Sequence, residues 1–220
     1  MQWGRKTWNL LKRLAQVLQY FHTAGFVHGH IDSNTIAKFN GSNNWKVLHM
    51  RHVTKIGEPM RGEIRPTVPP ESISTSTISM SPSNDKMKSI SFDEDFQRTK
   101  TINYSVSFDE VQPEITFAPE FCVADPSWDI WSFGLVMGQL LLGQSMVLLP
   151  NFERAEDAQM KNLSKYNFET LMKIRDVAFR VSGKKAANLL IKCLQPDPSN
   201  RPSSMAEILK DPYFDDINKI

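Results

Sequence analysis

The chain has 220 residues, of which 40% are apolar, and its 26 basic and 24 acidic residues leave a formal net charge of +2. This size and composition allow a sizeable buried core, and the charge balance gives no electrostatic reason to expect binding to nucleic acid or membranes. The cysteines Cys122 and Cys193 lack metal-site spacing, which predicts reduced thiols of an intracellular, cytoplasmic protein. The N-terminus lacks the apolar run of a signal peptide, and no apolar stretch is long enough to span a membrane.

The first predicted element is a helix over residues 7–21, because its leucines recur at helical spacing and Gly25 follows as a stop signal. Two short runs typical of strands come next, Thr35 to Phe39 and Trp45 to Leu48. The residues between them are Asn, Gly and Ser, which favour tight turns. The pattern therefore predicts a β-hairpin.

The composition changes between Pro59 and about Ile115. Residues 71–110 contain ten serines and four threonines but few large aliphatic residues, so they cannot bury enough surface to offset chain entropy. We expect a long disordered insertion, which divides the chain into 1–58, 59–115 and 116–220. Within it the segment 89–94, Ser-Ile-Ser-Phe-Asp-Glu, recurs as Ser-Val-Ser-Phe-Asp-Glu at 105–110, which is typical of a repeated short linear motif.

The remainder of the chain is predicted to be helical. A strongly apolar helix is expected over residues 129–142, and two amphipathic helices over 167–179 and 184–194. A Pro-rich turn at 195–202 leads to a last helix at 203–210. The fold class predicted from these elements is α+β and predominantly α-helical.

Four segments resemble the C-lobe of eukaryotic protein kinases, in the right order along the chain. They are Gly25-Phe26-Val27-His28 with Ile31; Lys46-Val47-Leu48 before His49-Met50-Arg51; Ala118-Pro119-Glu120 before Asp129-Ile130-Trp131-Ser132-Phe133-Gly134; and Cys193-Leu194 through Arg201-Pro202 to Pro212-Tyr213-Phe214. The resemblance covers roughly residues 7–58 and 113–216. It implies a kinase-like C-lobe interrupted by a long insertion in the activation segment.

Positions that support the fold in this family are retained. By resemblance, Glu120 would pair with Arg201, and Asp129 would accept hydrogen bonds from the backbone of the loop that is catalytic in kinases. His28 would pack beneath the metal-binding loop. Met50 would replace the phenylalanine of that loop, as an apolar exchange that a core can absorb. These five residues are interpreted as structural.

Positions that carry the chemistry are not retained. His30 stands in place of the catalytic aspartate, and His49 in place of the principal metal-binding aspartate. Thr35 replaces the second metal-binding residue, an asparagine, and Asp32 replaces the lysine that neutralises the transferred phosphate. Magnesium prefers carboxylate and water to imidazole. The resemblance therefore implies a pseudokinase-like module with no expected cofactor, which binds protein partners in signalling.

The alternative is the C-terminal part of an ATP- and Mg-dependent serine/threonine-type kinase with an unconventional site. Neither a Gly-rich loop nor a strand lysine precedes the first helix, so the N-lobe of such an enzyme would have to lie outside this sequence. A slipped loop that presents Asn34 and Asp32 is a further, less favoured way to keep activity.

Two smaller hypotheses remain open. His28, His30 and His49 would converge near the cleft, which permits a transition-metal site, although neutral replacement is the favoured interpretation. In the insertion, Ser81 precedes a proline, and Ser91 and Ser107 each precede a glutamate by three residues. These serines are candidate phosphorylation sites for other kinases, although the same spacing also suits helix capping.

Overall fold

The structure, a computed structural model, describes residues 2–39, 44–60, 68–76, 114–117, 122–143, 163 and 165–215. It is α+β and mainly helical, as predicted. In chain order its elements are α1 (Gln2–Thr23), β1 (Phe26–Val27), β2 (Ile36–Phe39), β3 (Asn44–Val47), β4 (Thr54–Lys55), β5 (Ile73–Ser76), β6 (Glu114–Phe117), α2 (Pro126–Leu142), α3 (Phe168–Cys193) and α4 (Met205–Leu209).

Helix α1 packs its apolar stripe against α2 and α4. Leu11, Leu14 and Leu18 are fully buried there, which is the burial expected from their helical spacing. Trp8 adds a polar contact to this packing, because its indole Nε1 donates to the carbonyl of Tyr213 at 3.1 Å. The two ends of the chain are therefore joined in one core.

The core is built around α2, in which all residues from Trp128 to Gly138 are buried. It begins with Asp125 as N-cap, whose side chain accepts from the amide of Ser127. Gly134 allows close packing on α3: a Cβ there would lie 2.8 Å from Cβ of Cys193 and 2.8 Å from Cδ2 of Leu194. The absent side chain thus sets the distance between the two central helices.

The described residues also form three antiparallel strand pairs. The pair β2–β3 is the predicted hairpin, in which Ile36 faces Val47. The pair β1–β4 joins Val27 to Thr54. The third pair, β5–β6, aligns Ser76 with Glu114, so the chain between these two residues leaves and re-enters the fold at neighbouring points.

The helices after α2 follow the prediction. The two expected helices at 167–179 and 184–194 both lie within α3, and they are separated by Gly183, whose backbone is not helical (φ 82°, ψ 173°). This backbone conformation suits glycine. Of the helices in the described ranges, none is both long and apolar enough to cross a bilayer.

The fold extends further into the serine-rich region than composition indicated. Residues 68–76, which the composition placed in the insertion, include the buried side chains of Val68 and Ser72. The backbone at 57–60 also pairs with 122–124; Ala124 N–H, for example, donates to the Glu58 carbonyl at 2.8 Å. These short contacts carry little apolar area, so composition alone does not show them.

Candidate functional site

The candidate site is the loop between β1 and β2, which lies over the first turn of α2. Asp129 of that turn is fully buried, and its two carboxylate oxygens accept the backbone N–H groups of His28 at 2.8 Å and Gly29 at 2.9 Å. A carboxylate in the first turn is favoured by the helix dipole. One acidic side chain of the central helix therefore fixes the start of the loop, as the resemblance implies.

His22, at the end of α1, completes the environment of Asp129. Its Nε2 lies 3.0 Å from Oδ2 of Asp129. The tautomer with the proton on Nε2 makes this contact a hydrogen bond from the imidazole to the carboxylate. Three donors from two elements thus converge on one buried carboxylate, an arrangement that offsets its cost of desolvation.

His28 has a structural position. It is fully buried, its ring meets Phe21 edge-on, and its Nδ1 lies 3.3 Å from the amide of His30, which donates to it. The proton of the neutral ring is therefore on Nε2, which donates to the carbonyl of Leu48 at 3.1 Å. His28 links the loop to the end of β3.

Asp32 is engaged by its own loop. Its Oδ1 accepts the backbone N–H groups of Asn34 at 2.7 Å and Thr35 at 2.8 Å, and its Oδ2 lies 3.2 Å from Nε2 of His30. The buried hydroxyl of Thr35 accepts from the Asp32 amide and donates to the Asp32 carbonyl, both at 2.9 Å. This carboxylate stabilises a turn and is directed into the loop.

Three histidines lie next to one another above the loop. The ring centroid of His30 is 6.1 Å from that of His49 and 5.3 Å from that of His52. His49 adopts a left-handed backbone conformation, with φ 60° and ψ 56°. Sequence reasoning did not include His52 in this group. His28, which it did include, is fully buried and bonded to the carbonyl of Leu48. Within the described ranges, no three His, Cys, Asp or Glu residues are arranged to hold a metal ion.

Gly29 stands where the family has an arginine, and the structure leaves no room for a side chain there. Its φ is +69°, and a Cβ would lie 2.8 Å from Cε of Met60 and 3.1 Å from the carbonyl oxygen of His52. A larger residue would be strained by the backbone and would meet the His52 backbone. The replacement is therefore part of the loop's packing.

The partner of Arg201 differs from the prediction. The guanidinium forms two parallel bonds of 2.7 Å to the carboxylate of Glu71, and it lies over the ring of Trp131 at 5.0 Å. Its side chain is fully buried, and that of Glu71 is 24% exposed. Arg201 is therefore paired with Glu71, which sequence reasoning did not name; the expected partner, Glu120, is outside the described residues.

The sequence signal for this pair was Pro69-Pro70-Glu71. These residues open a single 3₁₀ turn, Pro70–Ser72, in which the Ser72 hydroxyl donates to the carbonyl of Pro69 at 2.6 Å. The serine-rich composition that follows concealed them. Because Glu71 precedes β5, the inserted chain follows this pair and does not precede it.

Met50 also departs from the expectation. It begins a 3₁₀ turn, Met50–His52, that directs His52 inward, where it is 7% exposed, and leaves Met50 49% exposed. Met50 is therefore not a core residue of this chain. Sequence reasoning expected Met50 to fill the core in place of a phenylalanine, but the turn directs its side chain towards solvent.

Tyr166 packs against Trp131, the residue over whose ring Arg201 lies. Its ring meets Trp131 edge-on at 5.1 Å, and its hydroxyl donates to the carbonyl of Leu194 at 2.7 Å. Burial raises the pKa of Tyr166 well above its usual value, and the nearby Arg201 charge opposes this only partly. The phenol is therefore a neutral donor at physiological pH.

The side chains of the loop do not fit magnesium. In residues 1–57 the sequence contains a single acidic residue, Asp32, and its carboxylate oxygens are bonded to the loop. Imidazoles stand at the two positions where the family has aspartates, and Mg²⁺ binds imidazole poorly. The candidate phosphorylation sites Ser81, Ser91 and Ser107 are outside the described residues.

The helices, the β2–β3 hairpin and the Arg201–Glu71 pair are arranged as in the protein kinase fold. A profile of the family "Protein kinase domain" matches residues 94–214, which is more than half of the chain. The chain belongs to the protein kinase family.

The chain is similar to particular kinases over part of their length. It is 30% identical over 137 residues to the human SNF-related serine/threonine-protein kinase, which covers 60% of this chain and 16% of the relative. The autoinhibited serine kinase domain of the giant muscle protein titin aligns with a TM-score of 0.60 at 15% identity, over 99% of this chain and 52% of that one. The twitchin kinase region from C. elegans aligns with a TM-score of 0.59 at 16% identity, over 96% and 28%.

Two facts follow from these comparisons. At 15–16% identity, the similarity to the two muscle kinases shows the fold alone. The chain also spans only about a sixth of the length of its curated relative and about half of the titin kinase structure. Kinase activity of the relatives is therefore a property of much longer proteins.

Proposed function

We propose that this chain is a pseudokinase-like module that binds protein partners and does not transfer phosphate. The observation that carries the proposal is the bonding of Asp32. Residues 1–57 offer one carboxylate, and that carboxylate accepts two backbone amides and contacts His30. Phosphoryl transfer requires carboxylates that are free to orient a hydroxyl and to hold Mg²⁺.

The rest of the loop supports the same function. His30 and His49 lack the carboxylate groups that bind magnesium. Asp32 is negatively charged where active kinases have a lysine that neutralises the transferred phosphate. Two supports of the fold are retained in the described residues: Asp129 holds the loop, and Arg201 holds Glu71. A kinase fold that keeps its shape without its ligands is suited to binding and scaffolding.

The test is a measurement of nucleotide binding and of phosphate transfer on the full chain. We expect no heat of binding and no rise in melting temperature with ATP, in the presence or absence of Mg²⁺. We also expect no transfer of labelled γ-phosphate to a generic serine peptide. Transfer that is abolished by both Asp32→Ala and His30→Ala would overturn the proposal, because a contaminating kinase would not respond to these substitutions.

A second candidate function is supported by the intact scaffold. In it, the chain is the C-terminal part of an ATP-dependent serine/threonine-type kinase, and the remaining parts come from a longer protein. The observation in its favour is that the backbone of the loop is held by Asp129 in the way the family requires. Magnesium-dependent ATP binding by a longer product of the same gene would favour this candidate over the first.

A further inference from the structure

The part of α3 before Gly183, residues 168–182, carries a concentration of exposed apolar side chains. Of the nine large apolar side chains that are exposed in the described residues, four lie on this segment: Phe168, Val177, Phe179 and Val181. Phe168 is 62% exposed and Phe179 is 54% exposed. Single apolar residues on a surface need no explanation, but several on one element mark an interaction surface.

The two phenylalanines lie on a side of the helix that is separate from its buried side. The buried side of the segment consists of three apolar residues, Leu171, Ile174 and Ala178. Phe168 and Phe179 point within about 20° of each other, because successive residues turn by about 100°, and their common direction is about 100° from the buried side. Met172 and Arg175 lie between them at the spacing of a helix-packing stripe. We call these four residues the outer stripe.

The charges beside the outer stripe follow an order that is complementary to itself. Glu169, Lys173, Asp176 and Arg180 are exposed and fall within about 60° of one another around the helix. A second helix that runs antiparallel about a two-fold axis between positions 174 and 175 would place 169 opposite 180 and 173 opposite 176. Both symmetric pairs then join opposite charges. A parallel arrangement would instead place each charge opposite itself.

We propose that the outer stripe is a self-association surface, on which a second copy of this chain packs its own α3 in antiparallel orientation. Charge complementarity identifies the occupant, because the sequence of charges matches its own reverse. The same axis brings Phe168 of one copy to within a turn of Phe179 of the other. The surface is separate from the loop between β1 and β2, so the inference goes beyond the proposed function and does not depend on it.

The contacts within one chain are compatible with this pairing. Lys173 contacts Glu169 at 2.7 Å, but both side chains remain largely exposed and can bridge to a second copy. Arg175 lies nearest the axis, and Asp176 of its own chain balances its charge at 3.1 Å. The segment is about 22 Å long. An interface on one such helix is small, so we expect a reversible dimer with a dissociation constant of about 10–100 µM.

The test is sedimentation equilibrium of the full chain, with charge reversals on α3. Glu169→Arg and Arg180→Glu should each weaken dimerisation about tenfold or more, because the two-fold axis repeats every substitution. An equal mixture of the two variants should dimerise as the unmodified chain does, because each reversed charge then meets its opposite. The matched controls Glu58→Arg and Lys55→Glu make the same charge changes on exposed residues away from α3 and should have little effect.

The apolar contribution is tested on the same helix. The double substitution Phe168→Ser, Phe179→Ser should abolish dimerisation. Val181→Ser should leave it unchanged, because Val181 is 62% exposed but lies on another side of α3. Melting curves show whether each variant is folded.

Three outcomes would overturn the inference. The first is an unmodified chain that stays monomeric up to about 500 µM, well above the expected dissociation constant. The second is a dimer that both phenylalanine substitutions leave intact. The third is a failure of the mixed reversal variants to recover dimerisation, which would show that the helices do not pair in antiparallel orientation. None of these results bears on phosphate transfer, which the proposed function tests separately.

Discussion

Two aspartates hold the loop between β1 and β2, one from below and one from within. They differ in how they compare with the kinase family. Asp129, below the loop, accepts the amides of His28 and Gly29, as the kinase family resemblance implies. Asp32, within the loop, stands in place of a lysine and accepts the amides of Asn34 and Thr35. The underside therefore keeps the bonding of the family, and the upper side replaces it.

The comparison shows that a loop can keep its shape while its chemistry changes. Backbone N–H groups near a buried surface need acceptors, whatever the side chains nearby do. In this chain two carboxylates supply those acceptors. The following predictions test how independent the two sides are.

The largest effect is expected from Asp129→Ala. It removes the acceptor of two loop amides and the partner of His22 from a fully buried position. Leaving such donors unsatisfied should lower the free energy of unfolding by about 3–5 kcal/mol. Urea denaturation measures this. Asp129→Asn keeps one acceptor and should lose less; equal losses would show that the hydrogen bonds are not the cause.

A somewhat smaller loss is expected from Glu71→Ala, because it leaves the buried guanidinium of Arg201 without its carboxylate. We expect a loss of about 3 kcal/mol in the same denaturation experiment. Glu120→Ala is the matched control, since the sequence alone assigned this role to Glu120. Should Glu120→Ala prove the more destabilising of the two, the structural assignment of Glu71 would be wrong.

Asp32→Ala should have a more local effect. Loss of a side chain that caps two amides costs about 1–2 kcal/mol. The amides of Asn34 and Thr35 should exchange with solvent faster, and those of His28 and Gly29 should not change. Asp197→Ala is a suitable control, because Asp197 caps the Ser199 amide at 2.8 Å on an exposed turn. If all four loop amides lost protection together, the two sides of the loop would not be independent.

The smallest expected effect is a loss of folding stability at high pH, caused by ionisation of Tyr213. Burial raises the pKa of Tyr213 to about 12, from a usual value near 10. The unfolded chain therefore releases this proton first as pH rises, so stability is complete below pH 10 and falls between about pH 10 and 12. At pH 11 the unmodified chain should lose about 1 kcal/mol more than Tyr213→Phe does, relative to pH 8. Equal pH profiles for the two proteins would contradict the raised pKa.

Regular elements were predictable because their residues repeat. The leucines of α1, the apolar α2 and the turn residues between β2 and β3 led to the right elements. The contact of Asp129 with the loop came from the family resemblance and not from any spacing. The interruption at Gly183 was predicted as the gap between two amphipathic helices, and the structure confirms it.

The details of the site were less accessible from sequence. Glu71 was missed because two prolines and a glutamate adjoin a serine-rich run, and composition averages over such short segments. Sequence reasoning considered Asp32 only as a negative charge in place of the lysine that neutralises phosphate, and not as a hydrogen-bond acceptor for its own loop. The sequence Asp32-Ser33-Asn34-Thr35 is nevertheless typical of a turn capped by its first side chain, which is a local signal for the bonds that the structure shows.

The pairing of β5 with β6 has a practical consequence. Because Ser76 and Glu114 are cross-strand partners, the polypeptide between them begins and ends within a few ångströms of the same point. The entropic cost of closing a loop grows slowly with its length. This position is therefore suited to protein engineering: an epitope or a fluorescent protein could be joined to Ser76 and Glu114 without moving the two strands apart.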